Sequence, residues 1–184
     1  MGNNIWFISD THFNHDKDFI LEPRGFSSVQ EMNEQIIENW NSVIKPEDTV
    51  YHLGDVIMGD LEDGLNIVKK LNGHIHLAIG NHDSNARLAA FKDIFDEIQF
   101  GYRMKFKKGM MLLSHYPQLT NNTDHFYTFS IHGHTHDKNI YNSSSPLMYN
   151  MSCEAHFCKP VAYEDLIKDL INLYAINYLH DGQI

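Results

Sequence analysis

Three short apolar segments in the first half of the chain each end in a polar turn and precede an amphipathic helix. Apolar residues in the predicted helices recur at spacings of three and four, which is typical of a helix with one buried face. The predicted order is strand 4–9, helix 30–43, strand 49–53, helix 61–71, strand 74–79 and helix 85–95. This alternation of strands and helices predicts an α/β fold.

The second half of the chain follows a different pattern, in which strands succeed one another and a helix comes last. The predicted elements are strands 102–106, 110–114, 128–132 and 147–151 and helix 164–178. Two packed mixed β-sheets flanked by helices would accommodate both halves, and this is the α/β architecture that we predict. Because no linker or repeat divides the chain, we expect a single domain over residues 1–184.

Short signatures rich in histidine, aspartate and asparagine fall at the ends of five predicted strands. They are Asp10-Thr11-His12, Gly54-Asp55, Gly80-Asn81-His82-Asp83, His115 and Gly133-His134-Thr135-His136. Ligands of open α/β sheets bind at the carboxyl ends of strands, where the first three signatures occur. Each signature is weak alone, but together they offer oxygen and imidazole ligands for two divalent metals. That combination indicates hydrolysis of a phosphate ester.

The spacing within two signatures favours shared metal binding. Side chains two residues apart at a strand end point to the same face, so Asp10 and His12 can reach one metal. His134 and His136 repeat this geometry with two imidazoles. Alternatively, Asp10 caps a turn and His12 is a surface histidine.

The remaining signature residues have separate arguments. A carboxylate at Asp55, in the tight turn that the preceding glycine permits, can bridge two metals. Asn81 offers an amide oxygen, which is a usable ligand for Mn, Mg or Fe. His82 would lie beside the metals without binding them, and Asp83 could orient its ring. His115 follows an apolar run, where a lone histidine is more often structural, so its assignment depends on the series.

The ordered signatures resemble those of the calcineurin-like metallophosphoesterase superfamily, particularly its small single-domain bacterial and phage members. The resemblance covers positions 10 to 136 and implies a four-layer αββα sandwich. It also implies that His82 protonates the leaving oxygen. Many relatives carry a second aspartate where this chain has Met58. The resemblance implies a ligand set bridged by Asp55, with Asp10, His12 and His136 on one metal and Asn81, His115 and His134 on the other.

The reaction that we expect is attack on phosphorus by a hydroxide that bridges the two metals. We predict a small phosphodiester substrate of the nucleotide or cyclic nucleotide type, since small relatives lack large capping elements. The alternatives are a phosphomonoesterase acting on a small metabolite and a catalytically silent metal-binding module. A helical HD phosphohydrolase is disfavoured, because its ligands lie on helices. Mn²⁺ is the predicted metal, and Fe, Ni, Zn or Mg is also compatible with these ligands.

Two further residues are predicted to bind substrate. His15 follows His12 by three residues and could reach the substrate, although a surface role is an alternative. Arg24 could grip a phosphate through two parallel hydrogen bonds, although it could also be a solvated loop residue.

Composition and charge limit the partners. No segment has 18 consecutive apolar residues, and the N-terminus lacks the basic region of a signal peptide, so we expect a cytoplasmic protein without membrane association. The net charge of -10 disfavours long nucleic acid, whose binding requires many Lys and Arg residues. A small phosphorylated substrate is the expected partner.

Overall fold

The computed structural model describes residues 3–106, 109–120, 127–142 and 145–178 and contains two five-stranded sheets. The first sheet consists of β1 (Ile5–Ile8), β2 (Thr49–His52), β3 (His74–Ala78), β4 (Glu97–Gln99) and β10 (Val161–Ala162). The second sheet consists of β5 (Gly101–Phe106), β6 (Gly109–Ser114), β7 (Tyr127–His132), β8 (Tyr141–Asn142) and β9 (Ser145–Asn150).

Both sheets are mixed, and their parallel strands decide where the polar turns meet. The first sheet has the order β10-β1-β2-β3-β4, in which β1 to β4 run parallel and β10 is antiparallel to β1. In the second sheet, with the order β5-β6-β7-β9-β8, β6, β7 and β9 run parallel. Parallel neighbours end at the same edge of a sheet, so the turns after them lie side by side.

Within the described residues, five α-helices accompany the sheets, and side chains cap the N-termini of three of them. Ser28, Asp60 and Ser84 accept hydrogen bonds from backbone amides in the first turn of α2, α3 and α4, which satisfies donors that the helix leaves free. Asp60 is the aspartate two residues beyond Met58. The helices are α1 (Asp18–Arg24), α2 (Val29–Val43), α3 (Leu61–Val68), α4 (Asn85–Phe91) and α5 (Tyr163–Tyr178).

Two apolar clusters form the core, and the alternation of side chains along the strands separates them. Ile8 of β1 faces the first cluster, which includes Trp40 of α2 and other residues of α1 to α4. Phe7, its neighbour in β1, faces the second cluster, where the first sheet meets Phe129 of β7 and Leu170 of α5. The predicted α/β fold of two packed mixed sheets flanked by helices is therefore confirmed.

Several element boundaries differ from the prediction. The helices predicted over 61–71 and 85–95 end earlier, at Val68 and Phe91. Helix α1 and strands β4, β8 and β10 were not predicted. The helix has only seven residues and the strands have three or fewer, which are too few positions to show a helical or a strand period. Among the helices in the described part of the chain, none has the length and apolar character needed to cross a bilayer.

Candidate metal centre

The polar turns of both sheets converge at one edge of the structure. Three of them follow β1, β2 and β3 of the first sheet, and two follow β6 and β7 of the second. Strands β1, β2 and β3 run parallel to one another, as do β6 and β7, so the carboxyl ends of neighbouring strands lie side by side. The structure thereby brings together all seven residues predicted as metal ligands: Asp10, His12, Asp55, Asn81, His115, His134 and His136.

The first ligand set contains Asp10, His12 and His136, whose donor atoms all lie within 4.8 Å of one another. The Nε2 atoms of His12 and His136 are 3.2 Å apart. Each Nε2 atom also faces Oδ1 of Asp10, at 3.8 Å from His12 and 3.6 Å from His136. Two ligands that are each about 2.1 Å from one ion stand at most about 4.2 Å apart, and all three distances lie below that limit, so one cation can contact all three atoms.

The second ligand set is centred on the amide oxygen of Asn81. This Oδ1 atom lies 2.8 Å from Nε2 of His115 and 2.9 Å from Nδ1 of His134. Oδ2 of Asp55 is 3.4 Å from the same His115 nitrogen and 3.6 Å from Nε2 of His12. One carboxylate oxygen of Asp55 therefore faces both sets, which is the arrangement that a bridging ligand requires.

Five of the seven candidate ligands have left-handed backbone conformations, with φ between 48° and 69°. This region costs a residue with a side chain roughly 1–3 kcal/mol and persists only where the surrounding structure holds it. Here the amide of Asp10 donates to the carbonyl of Gly54, and that of His12 donates to the carbonyl of Asp55. The two turns thus hold each other, and the strain coincides with the candidate site.

Two glycines leave no space around the carboxylates. A Cβ atom at Gly133 would collide with the side chains of Ser9 and Asp10, and one at Gly80 would collide with the carboxylate of Asp55. The backbone therefore forms a cradle against which both acidic side chains pack. Any side chain at either glycine would displace a candidate metal ligand.

Burial and charge favour coordination to a metal. Asp10, His12, Asp55 and His115 are all buried, which is rare for such side chains unless they are paired or coordinate a metal. Burial lowers the pKa of His12, and Arg24 and neighbouring histidines lower it further. A neutral imidazole is the form that binds a metal, and the mixture of imidazole, carboxylate and amide ligands fits two divalent cations.

His82 lies on the open side of the two sets. Its side chain is 43% exposed, and its Nε2 atom is 4.0 Å from Oδ2 of Asp55. Its backbone amide donates to Oδ1 of the same carboxylate at 2.7 Å, so Asp55 fixes the position of His82. The imidazole is therefore free to meet a bound molecule.

Asp83 does not orient the His82 ring, which corrects the prediction from sequence. Its buried carboxylate instead accepts hydrogen bonds from the backbone amides of Asp55, Val56 and Gly80, at 2.9, 3.2 and 2.8 Å. Asp83 therefore connects the turns after β2 and β3 and supports the site from behind.

An open cavity of about 290 Å³ adjoins the first ligand set. His15, one of the two predicted substrate-binding residues, lines this cavity, with its ring centroid 5.2 Å from that of His12. The exposed ring of Phe19 meets the His15 ring edge to face at 5.4 Å. Helix α1 also contributes Ile20 and Pro23 to the wall, so one side of the cavity is apolar.

Arg24, the other predicted substrate-binding residue, does not face the cavity. Its side chain is 0% exposed and forms an ion pair with Glu154, with Nε 2.8 Å from Oε1. Its two terminal nitrogens donate to the backbone carbonyls of Thr11 and Asp10, at 2.9 and 2.7 Å. The prediction that Arg24 grips a phosphate is corrected accordingly, because its donors face the interior.

Sequence reasoning did not identify Glu154, which packs against the first ligand set. Burial opposes ionisation of this side chain, but hydrogen bonds from His136 and Arg24 and the charge of Arg24 lower its pKa to about 2. It lies in a short 3-10 turn, Cys153–Ala155, and no local motif marks it. Its contacts are with His136, 18 positions away, and with Arg24, 130 positions away, and no pattern in the sequence shows either.

The chain is similar to several known proteins over most of its length. A family model described as calcineurin-like phosphoesterase matches residues 4–181. The uncharacterized protein MJ1445 of Methanocaldococcus jannaschii is 34% identical over 171 residues, which cover 89% of each chain. The Gene 66 protein of Mycobacterium phage L5 is 26% identical over 167 residues, which cover 75% of this chain and 80% of the phage protein.

The chain is also similar to a solved structure. The protein of unknown function AQ665 from Aquifex aeolicus has 30% sequence identity and a TM-score of 0.68, and the match covers 91% of this chain and 99% of that one.

Proposed function

Because the chain belongs to the calcineurin-like phosphoesterase family, we propose that it is a metal-dependent phosphoric ester hydrolase with two divalent cations and a small phosphodiester substrate. The observation that carries the proposal is the position of Asp55, one oxygen of which faces a nitrogen ligand of each set at 3.4 and 3.6 Å. Two ions held at such a bridge are typical of enzymes that hydrolyse phosphate esters.

The two ligand sets would hold one cation each. Their mixture of oxygen and imidazole donors is compatible with Mn²⁺, which we propose as the metal. When bound, two such cations would lower the pKa of a water molecule and neutralise charge on the phosphoryl oxygens. The residues that would hold them are Asp10, His12 and His136 in the first set, Asn81, His115 and His134 in the second, and Asp55 between them.

We assign His82 as the acid that protonates the leaving oxygen. Its ring lies beside Asp55 but outside both ligand sets, and its exposed edge faces the open side of the centre. A positioned histidine of this kind can transfer a proton to the oxygen as its bond to phosphorus breaks.

The cavity favours a diester over a monoester. A monoester presents a dianionic phosphate, which benefits from additional cationic side chains, whereas a diester carries a single negative charge. The described residues that line the cavity include no Lys or Arg, and Arg24 is committed to the interior. His15 remains as the proposed polar contact for the substrate.

Two exposed aromatic rings support a substrate with a flat group, such as a nucleotide or a cyclic nucleotide. Phe19 is 69% exposed beside His15, next to the first ligand set. Tyr116 is 47% exposed, and its ring centroid is 4.7 Å from that of His134 in the second set. Aromatic side chains at both sets give a nucleobase two surfaces against which it could stack.

Activity on a paired set of substrates tests the proposal. Protein stripped of metal and refilled with Mn²⁺ should hydrolyse bis-p-nitrophenyl phosphate faster than p-nitrophenyl phosphate. Asp55→Asn should abolish this activity, whereas Asp96→Asn, which changes an exposed carboxylate paired with His74, should not. Activity on the monoester alone would favour a phosphomonoesterase. Turnover of neither ester, with two metals bound, would favour a silent metal-binding module.

A further inference from the structure

Glu154 lies directly behind His136, on the side of the ring that faces away from the first ligand set. Its Oε1 atom is 3.0 Å from Nδ1 of His136, whose Nε2 atom points toward Asp10 and His12. A carboxylate at Nδ1 keeps the proton on that nitrogen, which leaves the lone pair of Nε2 available to a metal. The contact therefore sets both the orientation of the ring and its tautomer.

Arg24 connects this carboxylate to the turn that carries the other two ligands of the first set. Its Nε atom donates to Oε1 of Glu154, while its Nη1 and Nη2 atoms donate to the carbonyls of Thr11 and Asp10. Asp10 and His12 both have positive φ in this turn. One buried guanidinium thus contacts two backbone carbonyls of the turn that carries Asp10 and His12, and also the carboxylate that contacts His136.

The way in which Arg24 distributes its donors distinguishes this arrangement from an ordinary ion pair. Arginine and a carboxylate usually pair through two parallel hydrogen bonds. Here Arg24 gives a single nitrogen to Glu154, and Oε2 of Glu154 is buried without a hydrogen-bond partner among the described residues. Arg24 therefore makes one hydrogen bond to Glu154 where two are possible, and its other donors hold the Asp10–His12 turn.

The location of Glu154 follows from a contact between distant parts of the chain. Ser152 forms an isolated parallel bridge with Ser9, which directly precedes Asp10. The 3-10 turn that begins at Cys153 therefore lies beside the first metal-ligand turn, and its buried Glu154 faces inward.

We propose that Glu154 and Arg24 are a positioning pair that holds His136 and the Asp10–His12 turn in the geometry that binds the first metal ion. This inference rests on the proposed dinuclear function. The hydrogen bonds of the pair join it to His136 and to the Asp10–His12 turn of the first ligand set, and none of them reaches Asn81, His115 or His134. Loss of the pair should therefore weaken the binding of one of the two ions and leave the binding of the other unchanged.

Calorimetric titration of metal-stripped protein with Mn²⁺ tests this inference without measuring catalysis. The wild-type protein should bind two ions. Glu154→Ala should lower the affinity for one ion by about 10- to 100-fold, the range usual for such partners, and leave the other unchanged. Glu154→Gln retains an oxygen acceptor for Nδ1 of His136 and should recover most of the affinity. Glu97→Ala is a matched control, since Glu97 contacts Nδ1 of His76 at the same 3.0 Å outside the site.

Arg24→Lys provides a second variant in case Glu154→Ala does not fold. The lysine side chain keeps the positive charge but cannot reach Glu154 and both carbonyls at once. This variant should therefore lower the affinity for the same ion. Wild-type protein that binds fewer than two ions would overturn the proposed function itself. Wild-type protein that binds two ions, together with unchanged affinities in Arg24→Lys and in any folded Glu154→Ala, would overturn only the positioning role.

Discussion

The carboxylate of Asp83 accepts a hydrogen bond of 2.9 Å from the backbone amide of Asp55, so one acidic residue holds another in place. The same carboxylate accepts amides from Val56 and Gly80, and all of these groups are buried. Asp83 therefore stabilises the turn from which Asp55 reaches both ligand sets. Its carboxylate is thus occupied by the backbone amides that form the site.

Replacement of Asp83 should destabilise the protein strongly. Asp83→Ala would leave three buried amides without an acceptor, at about 1 kcal/mol or more each, so we expect a loss of about 3 kcal/mol in the free energy of unfolding. Urea unfolding of the metal-free protein measures this loss. Asp93→Ala, at an exposed position, should change little. A loss below about 1 kcal/mol for Asp83→Ala would contradict the role assigned to these hydrogen bonds.

His82→Ala should slow catalysis without removing metal. We expect the rate to fall by about 10²- to 10⁴-fold for a cyclic nucleotide, whose leaving group is an alkoxide, and by less for bis-p-nitrophenyl phosphate. Metal content should stay at the wild-type value, since His82 lies outside both ligand sets. His74→Ala is the control, because His74 is exposed and paired with Asp96. An equal loss for both leaving groups would argue against His82 as the acid.

The exposed aromatic rings should affect substrate binding more than the chemical step. Phe19→Ala and Tyr116→Ala should each raise the KM for a cyclic nucleotide by about three- to tenfold and leave kcat nearly unchanged, as expected for a lost stacking contact. Phe100→Ala, which removes another exposed aromatic ring, should alter neither value. If KM for the nucleotide is unchanged in both site variants, the flat group does not bind on these rings.

Asp48 should make stability depend on pH in the acid range. Burial acts to raise its pKa, but hydrogen bonds from the amides of Lys45 and Asn4 and the indole of Trp6 lower the pKa overall. A carboxylate whose pKa is lowered in the folded state stabilises the protein at pH values above its unfolded-state pKa of 3.8. This contribution is lost as the pH falls through the folded-state pKa. Stability should therefore decline in acid below about pH 4.

Comparison with Asp48→Asn isolates this contribution. The difference in unfolding free energy between wild-type and variant protein, both free of metal, should be larger at pH 6 than at pH 3. The reason is that protonation of Asp48 makes the wild-type side chain neutral like the variant's. A difference that is equal or larger at pH 3 would show that another group governs the acid transition.

The seven candidate ligands could be predicted because each follows a strand whose apolar pattern is visible in the sequence. Parallel pairing then brings strand ends together without further information. His115 needed the whole series, since a single histidine after an apolar run has no local signal. The fold class was predictable for the same reason, whereas α1 and the two-residue strand β10 were too short to show a period.

The misassigned residues share a physical cause. Asp83 is next to His82 in sequence, but its carboxylate finds three backbone donors on the opposite side. Arg24 is the last residue of helix α1, and its guanidinium enters the interior, where it pairs with the buried Glu154. Neighbours in sequence say little about side-chain direction in turns, and Glu154 lies 130 positions from Arg24.

The first ligand set also dictates when this protein could acquire the proposed metal. His12 and His136 are 124 positions apart in the chain, although their ring nitrogens are 3.2 Å apart in the fold. A growing polypeptide that has not yet produced His136 would present Asp10 and His12 with an incomplete set of ligands. Under the proposed function, the first ion would therefore bind only after His136 has been made, and the ions available at that moment would contribute to which metal the protein carries.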